Sequence, residues 1–206
     1  GDTNGRIPAY RVEVSAGEGN AGNKTLLDLT RQGGRVIWLL QSRLPGGQVI
    51  SIDEARQKAV QFLKDRGFED MRPTYFMQQE NTVTFNFAAT QDDVILYPDL
   101  VKVTVALDNG EVVGAETTGY LMSHRQRDLP KERISQEQAR ATINPRLEVT
   151  GGKLALIPVG ASDERLTYEF QGRLGDETFL IYVNAQNGRE ENVLKLIETE
   201  NGTLTM

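Results

Sequence analysis

Two short sequence patterns occur twice, in the same order, along this 206-residue chain. The pattern I-S-x-x-x-A-R spans residues 50–56 and returns at residues 134–140. The pattern V-x-x-x-N-G follows at residues 105–110 and again at residues 183–188. An ordered internal repeat is typical of a chain built from copies of one supersecondary unit. We therefore predict tandem copies of a small domain rather than one large fold.

A third, partial copy lies near the start of the chain. Residues 29–36 align with residues 105–112, and the glycines Gly34, Gly110 and Gly188 are then 76 and 78 residues apart. Helix signals are absent before this first copy. We expect the first unit to consist of strands only.

Each I-S pattern predicts the start of a helix. Ser51 with Glu54, and Ser135 with Gln138, have the spacing of a capping box, in which the side chain of each residue accepts a hydrogen bond from the backbone N–H of the other. Apolar residues follow Ser51 at helical spacing, which indicates one buried stripe; they are Ile52, Ala55, Ala59, Phe62 and Leu63. Gly67 is suited to end this helix, and Pro145 limits the second helix to a shorter length.

After each helix the apolar residues alternate with polar ones, as in strands that bury one face. The alternating sets are Val83, Phe85 and Phe87, then Val101, Val103 and Val105, and then Phe179, Ile181 and Val183. The Asn-Gly pairs at 109–110 and 187–188 predict two-residue hairpin turns with positive φ at both positions.

The predicted fold class is α+β, with each complete unit formed by one helix packed on an antiparallel β-meander. The proline- and glycine-containing segment 44–48 and the charged segment 123–133 separate the units. We expect a partial unit at residues 1–48, a complete unit at 49–123, and a second complete unit at 124–206 that begins with a basic linker.

Composition excludes several classes of function. The net charge of −6 disfavours nucleic acid as a partner, because phosphates repel an acidic protein. The chain has no cysteine, which excludes disulfides and thiolate chemistry. Its longest strongly apolar run, residues 36–40, is too short to cross a membrane. We expect any membrane anchor to lie outside these residues.

The single histidine, His124, lies among basic residues in the segment 123–133. Catalytic triads and zinc sites need an imidazole in a defined geometry, whereas a histidine among charged residues is typical of a solvated connector. The residues from Arg125 to Arg133 include four basic and two acidic side chains. We interpret them as an exposed tether open to proteolysis, with contact to an acidic partner or to an anionic cell-wall polymer as the alternative.

Acidic residues occur in several pairs, which catalysis by two carboxylates would require. They are Asp92-Asp93 with the nearby Asp99, Glu69-Asp70, and Glu190-Glu191. We expect them in solvated turns and strand edges, with a hard cation on Asp92, Asp93 and Asp99 as the alternative. The G-x-G-x-x-G pattern at residues 17–22 lacks the helix of a dinucleotide site, so we expect a loop there. Trp38 is expected in the core, with a binding hot spot as the alternative.

The helix that opens with I-S-x-x-x-A, followed by strands and a hairpin ending in V-x-x-x-N-G, resembles the PepSY domain. The resemblance covers residues 50–199 well and residues 7–43 in part. The tandem arrangement, with residues 97–99 and 106–114, also resembles the C-terminal region of a family of spore germination proteins. PepSY units occur in the propeptides of metallopeptidases and in bacterial surface proteins, and they have no catalytic motif.

The resemblance implies a non-catalytic, extracytoplasmic module that restrains or stabilises a hydrolase. Its implied partner is a cortex-lytic enzyme of the SleB type in the spore envelope, between inner membrane and cortex. The alternatives are a structural scaffold and a module that binds peptidoglycan directly. We predict no enzymatic activity, no cofactor and no metal site, and we assign no binding residues.

Overall fold

The computed structural model describes residues 2–3, 7–15, 23–160, 163–199 and 202–205. Contacts divide the chain into two compact units. The first contains residues 1–88 and 99–124, and the second contains residues 89–98 and 125–206. This division by contacts does not test the predicted bounds of the three sequence repeats, which stay a prediction. Residues 17–22, the predicted loop, lie outside the described residues.

Within the described residues, the first compact unit, which holds both the partial and the first complete predicted repeat, contains eight strands and two helices, with the tips of two strands belonging to the second compact unit. They are β1 (Asp2–Thr3), β2 (Ile7–Ser15), β3 (Lys24–Thr30), β4 (Val36–Gln41), α1 (Ile52–Lys64), β5 (Met71–Gln79), β6 (Thr82–Gln91), β7 (Val94–Ala106), β8 (Val112–Glu116) and α2 (Thr118–Ser123). The strand order is β1-β2-β3-β4-β8-β7-β6-β5.

Helix α1 begins and ends as its sequence predicts. Ser51 and Glu54 form the complete capping box, and Gly67 takes the left-handed conformation after the last turn, with φ of 71°. Ala55, Ala59, Phe62 and Leu63 are buried against the sheet. The sheet contributes the predicted alternating residues of β6 and β7, which are at most 1% exposed.

The second unit repeats this arrangement with a shorter helix. Its elements are α3 (Gln136–Ala141), β9 (Glu148–Val159), β10 (Asp163–Leu174), β11 (Glu177–Asn184), β12 (Glu190–Thr199) and β13 (Gly202–Thr205). The strand order is β13-β12-β11-β10-β9, all antiparallel. Ser135 and Gln138 form the second capping box. The predicted α+β class, with a helix on a meander, is confirmed.

The second unit also includes residues 89–98, the ends of β6 and β7. Ile95 and Leu96 pair in parallel with Ala155 and Leu156 of β9. Both members of each pair are nearly fully buried. Among the described residues, none of the helices is long and apolar enough to cross a membrane.

The two predicted hairpins and the hairpin of the aligned partial copy share one irregularity. The register shifts at Leu29 opposite Val36, at Val105 opposite Val112, and at Val183 opposite Glu190. Directly beyond each shift, one backbone bond closes the loop, from residue 30 to 35, 106 to 111 and 184 to 189. The same bulge at the same place in three hairpins supports the sequence alignment, including its partial first copy.

The predicted two-residue turns are wrong. Each loop has four residues between its closing pair, and only Gly110 and Gly188 of the two Asn-Gly pairs have positive φ, 77° and 72°. The asparagine side chains serve another purpose. Asn109 Oδ1 accepts a hydrogen bond from the N–H of Glu111, and Asn187 does the same for Arg189. Asparagine stabilises the turn through this local bond rather than through a left-handed backbone.

Gly110 and Gly188 are expected to resist substitution for two reasons. Alanine is strained at positive φ, and a Cβ on Gly110 would lie 3.3 Å from Ile50 Cδ1 and 3.2 Å from Lys58 Cγ. We predict that Gly110→Ala lowers the free energy of unfolding by about 1–2 kcal/mol. Urea unfolding followed by circular dichroism measures the effect.

Gly47→Ala is the matched control, because a Cβ there meets no atom within 4 Å. It should be neutral or stabilise by up to about 1 kcal/mol. Equal effects at Gly110 and Gly47 would contradict a requirement for the left-handed turn.

Candidate functional site

The structure places His124 against a buried carboxylate. The His124 Nδ1 atom lies 2.8 Å from Asp99 Oδ2, and its ring stacks on Tyr120 with ring centroids 4.1 Å apart. The Asp99 side chain is fully buried, whereas His124 is 41% exposed. The prediction of a solvated loop is therefore wrong for Asp99, whereas His124 does lie exposed at the start of the connecting segment but is paired with that carboxylate.

The physical reason is that β7 continues through residues 97–99, so Asp99 lies within a strand. Helix α2 ends at Ser123, and the backbone N–H of the next residue, His124, donates to the Tyr120 carbonyl as its C-cap. Tyr120 also packs edge-to-face on Phe68, and burial raises the pKa of its hydroxyl. The histidine is thus held in a packed aromatic cluster. Within the described residues, no group of three acidic or histidine side chains is arranged to hold a metal.

The other carboxylate pairs lie largely where the sequence predicts. Asp92 and Asp93 form a turn with φ of 49° and 62°. Glu69 and Asp70 are exposed before β5. Glu191, at the start of β12, accepts a hydrogen bond from the Asn184 side chain. A cation site on Asp92, Asp93 and Asp99 finds no support, because Asp99 is paired with His124.

The basic linker is fixed rather than free. Arg127 makes two hydrogen bonds to Glu164, of 3.0 and 2.8 Å, and only 4% of its side chain is exposed. Its backbone N–H and C=O bond to the amide of Gln91. These bonds from Arg127 lower the pKa of Glu164. The exposed-tether prediction is wrong for Arg127, because its side chain is buried. The sequence gives no local sign of this, since its partners lie 36 and 37 residues away.

The linker is held at two further places. The side chain of Gln186 donates to the Lys131 carbonyl at 2.7 Å, and the Arg133 N–H donates to the Ala185 carbonyl at 2.9 Å. Arg127 is the buried residue of the segment, and most of the others are exposed, including Arg125 with 58% of its side chain accessible. Backbone bonds at residues 127, 131 and 133 therefore restrain the segment, which is exposed over most of its length but less mobile than the predicted tether.

A second buried carboxylate, which the sequence did not indicate, lies in the second unit. Glu169 is 3% exposed and accepts a 2.6 Å hydrogen bond from the Tyr97 hydroxyl. Lys153 Nζ lies 2.9 Å from its other oxygen. The Tyr97 ring packs edge-to-face on Tyr182. Both oxygens of Glu169 are engaged, which is the arrangement of a structural rather than a reacting carboxylate.

Arg43 forms another interaction that the sequence did not indicate. Its guanidinium donates to Asp108 at 2.7 and 3.1 Å and to Asn109 at 3.0 Å. The N–H of Gly46 donates to the same Asp108 carboxylate at 2.7 Å. These bonds lower the pKa of Asp108 to about 2. Their stabilisation is therefore present above the ordinary aspartate pKa and is lost as the pH falls towards 2.

Two shallow grooves lie at equivalent places in the two repeats. One, of about 430 Å³, separates the end of α1 from the start of β5 and includes Leu63 and Phe68. The other, of about 380 Å³, separates the end of α3 from the start of β9 and includes Ile143 and Leu147. Their recurrence follows from the way each helix ends against its meander. We therefore explain both grooves by the shape of the repeated unit.

Trp38 differs from its predicted core position. It lies on β4 between Ile37 and Leu39, which are buried, but is itself only half-buried. Successive residues of a strand face opposite sides of the sheet. Trp38 therefore shares the face of its cross-strand partners Asp28 and Glu116.

Comparison with known families matches most of the chain. Residues 1–130 match the family described as "YpeB sporulation, PepSY1 and PepSY2 domains", and residues 133–194 match "Peptidase propeptide and YPEB domain". The PepSY resemblance predicted from the sequence is confirmed. So is the resemblance to the C-terminal region of the spore germination protein YpeB.

Individual relatives and a solved structure point to the same family. "Sporulation protein YpeB" of Halalkalibacterium halodurans is 44% identical over 174 residues, which is 84% of this chain and 39% of that protein. The protein of the same description in Bacillus subtilis is 36% identical over 176 residues, with the same coverage. The chain thus spans about two fifths of the length of these relatives. The solved "Bacillus megaterium YpeB C-terminal domain" has a TM-score of 0.84 and 35% identity, covering 96% of this chain and 87% of that chain.

The buried pair of Arg127 and Glu164 yields a stability prediction with an internal control. Arg127→Ala leaves a largely buried carboxylate without its strongest donors, so we expect a loss of about 2–4 kcal/mol in the unfolding free energy of the second unit. Arg125→Ala removes an exposed arginine that contacts the same Glu164, and should cost less than about 1 kcal/mol.

Urea unfolding and the rate of trypsin cleavage at residues 125–133 report both variants. Arg127→Ala should also be cleaved faster. Equal stability and equal cleavage of the two variants would contradict the claim that Arg127 fixes the linker.

Proposed function

Since the chain belongs to the YpeB family of sporulation proteins, we propose that it is a non-catalytic regulatory module for a cell-wall lytic enzyme. The proposed partner is a cortex-lytic hydrolase of the SleB type, which the module binds and restrains or stabilises until spore germination. The proposed location is outside the cytoplasm, in the spore envelope between the inner membrane and the cortex, where such an enzyme would meet its substrate.

The family description of the second match carries this proposal. The description "Peptidase propeptide and YPEB domain" joins this unit to propeptides, which are segments that accompany a hydrolase. A propeptide acts by contact with its enzyme and requires no chemistry of its own. The duplicated helix-and-meander unit is suited to such a role, because its sheets and connectors supply extended surfaces for a protein partner.

The engagement of the reactive side chains supports a role without catalysis. His124 is held by Asp99 and Tyr120, and Glu169 by Tyr97 and Lys153. Catalytic acids and bases instead present an accessible group to a substrate. Each of these pairs contributes to packing within its own unit.

The direct test combines binding with enzyme activity. The purified chain is titrated into a SleB-type enzyme of the same organism, and the lytic rate is followed as loss of turbidity of a cortex suspension. We expect a complex and a rate that falls as the complex saturates. Hen lysozyme on the same suspension is the control, and its rate should not change.

Other outcomes separate the alternatives. A complex with an unchanged rate but slower thermal inactivation of the enzyme would indicate stabilisation without restraint. A complex that changes neither quantity would indicate a scaffold. Retention of the chain on insoluble cortex without the enzyme would indicate direct peptidoglycan binding. The absence of any complex, with an unchanged lytic rate, would contradict the proposal.

A further inference from the structure

The segment between β4 and α1, residues 42–50, is held by hydrogen bonds along its length; we call it the connector. At its start, the N–H of Ser42 donates to the Lys24 carbonyl at 2.8 Å. At its end, the N–H groups of Val49 and Ile50 both donate to the Leu107 carbonyl, at 2.8 and 2.9 Å. A segment with proline and two glycines is thus fixed at both ends.

The middle of the connector is fixed as well. Asp108 binds both the Arg43 guanidinium and the N–H of Gly46. The side chain of Asn81 donates to the Pro45 carbonyl at 3.3 Å, and the side chain of Gln78 donates to Gln48 at the same distance. The connector therefore has little backbone freedom left to lose when another molecule binds.

This fixed segment presents two aliphatic side chains to solvent. Leu44 is 91% exposed and Val49 is 78% exposed, which makes them the most exposed large hydrophobic residues of the described chain. Tyr10 follows at 60%. A mobile loop that exposes an aliphatic side chain is ordinary, but a hydrogen-bonded segment that holds two of them outward resembles a preorganised recognition element.

We propose that the connector is a protein-docking site in which Leu44 and Val49 are apolar anchors. Its occupant is an apolar depression on the lytic enzyme, and this inference rests on the proposed function. Removing two aliphatic side chains from water gives a favourable free energy of association in proportion to their area. Anchors on a preorganised backbone retain more of that free energy.

The charges around the connector favour a protein partner over an anionic wall polymer. The Arg43 guanidinium, the cation of the connector, is already bound by Asp108 and Asn109, and its Nε lies 3.2 Å from Glu111. The polar groups that hold the middle of the connector from β5 and the following turn are the neutral amides of Gln78 and Asn81. The carboxylates of Asp108 and Glu111 outnumber this one guanidinium, which disfavours an anionic polymer, and an apolar pair beside neutral amides complements an apolar protein surface.

The test compares two double variants with matched residue types. The variant Leu44→Ser with Val49→Ser removes both anchors. The control, Leu174→Ser with Val193→Ser, removes a leucine and a valine that are each 41% exposed elsewhere. Isothermal titration against the SleB-type enzyme should show at least about a tenfold loss of affinity for the anchor variant and less than a twofold change for the control.

A third variant, Asp108→Asn, tests preorganisation separately. It keeps both anchors but weakens the bonds to Arg43 and Gly46, so we expect about a fivefold loss of affinity. Circular dichroism and thermal unfolding establish that each variant is folded under the binding conditions.

Failure of the docking site and failure of the proposed function give different results. Binding by the wild-type chain with equal affinity for the anchor variant would overturn the docking site and leave the proposed function standing. No binding by the wild-type chain would overturn the proposed function and the occupant together. Self-association of the wild-type chain in sedimentation, lost in the anchor variant, would replace the enzyme by a second copy as occupant.

Discussion

In each complete repeat, two consecutive N–H groups share one carbonyl and so fix the residue at which the helix begins. Val49 and Ile50 donate to the Leu107 carbonyl, and Arg133 and Ile134 donate to the Ala185 carbonyl in the same way. These bonds tie the start of each helix to the loop of its last hairpin. Helices of 13 and 6 residues are marginal on their own, because nucleation costs more than a few turns return. The tie and the capping box therefore decide where each helix begins, and burial of its apolar face against the meander supplies most of its stability.

Two carboxylates of this protein fix segments that contain no regular structure. Asp108 holds the connector before α1, and Glu164 holds the linker before α3 through Arg127. Both carboxylates have a lowered pKa because arginine donates to them. Charges that are already paired contribute little to attraction at a distance. Recognition by this module is consequently expected to depend on the shape and apolar surface of the fixed segments.

Local features of the fold could be predicted from the sequence, and features that depend on distant partners could not. The capping boxes of Ser51 and Ser135 and the left-handed Gly67 follow from neighbouring residues, so their patterns are visible in sequence. The pair of His124 and Asp99 could not be predicted, because Asp99 was expected in a solvated turn with Asp92 and Asp93, where β7 in fact continues. Arg127 was missed because Gln91 and Glu164 give no sign in sequence of meeting it. The exposure of Leu44 and Val49 could not be predicted either, since apolar residues at a connector are equally compatible with burial.

Hydrogen exchange at the amides that tie each helix to its hairpin tests the copied unit most directly. We expect the amides of Ile50 and Arg133 to exchange as slowly as core amides such as those of Val103 and Ile181, because opening them requires the unit to unfold. The exposed amides of Gly47 and Gln126 provide the fast reference within the same sample. Exchange at Ile50 and Arg133 as fast as at Gly47 and Gln126 would contradict the shared tie, and with it the equivalence of the two repeats.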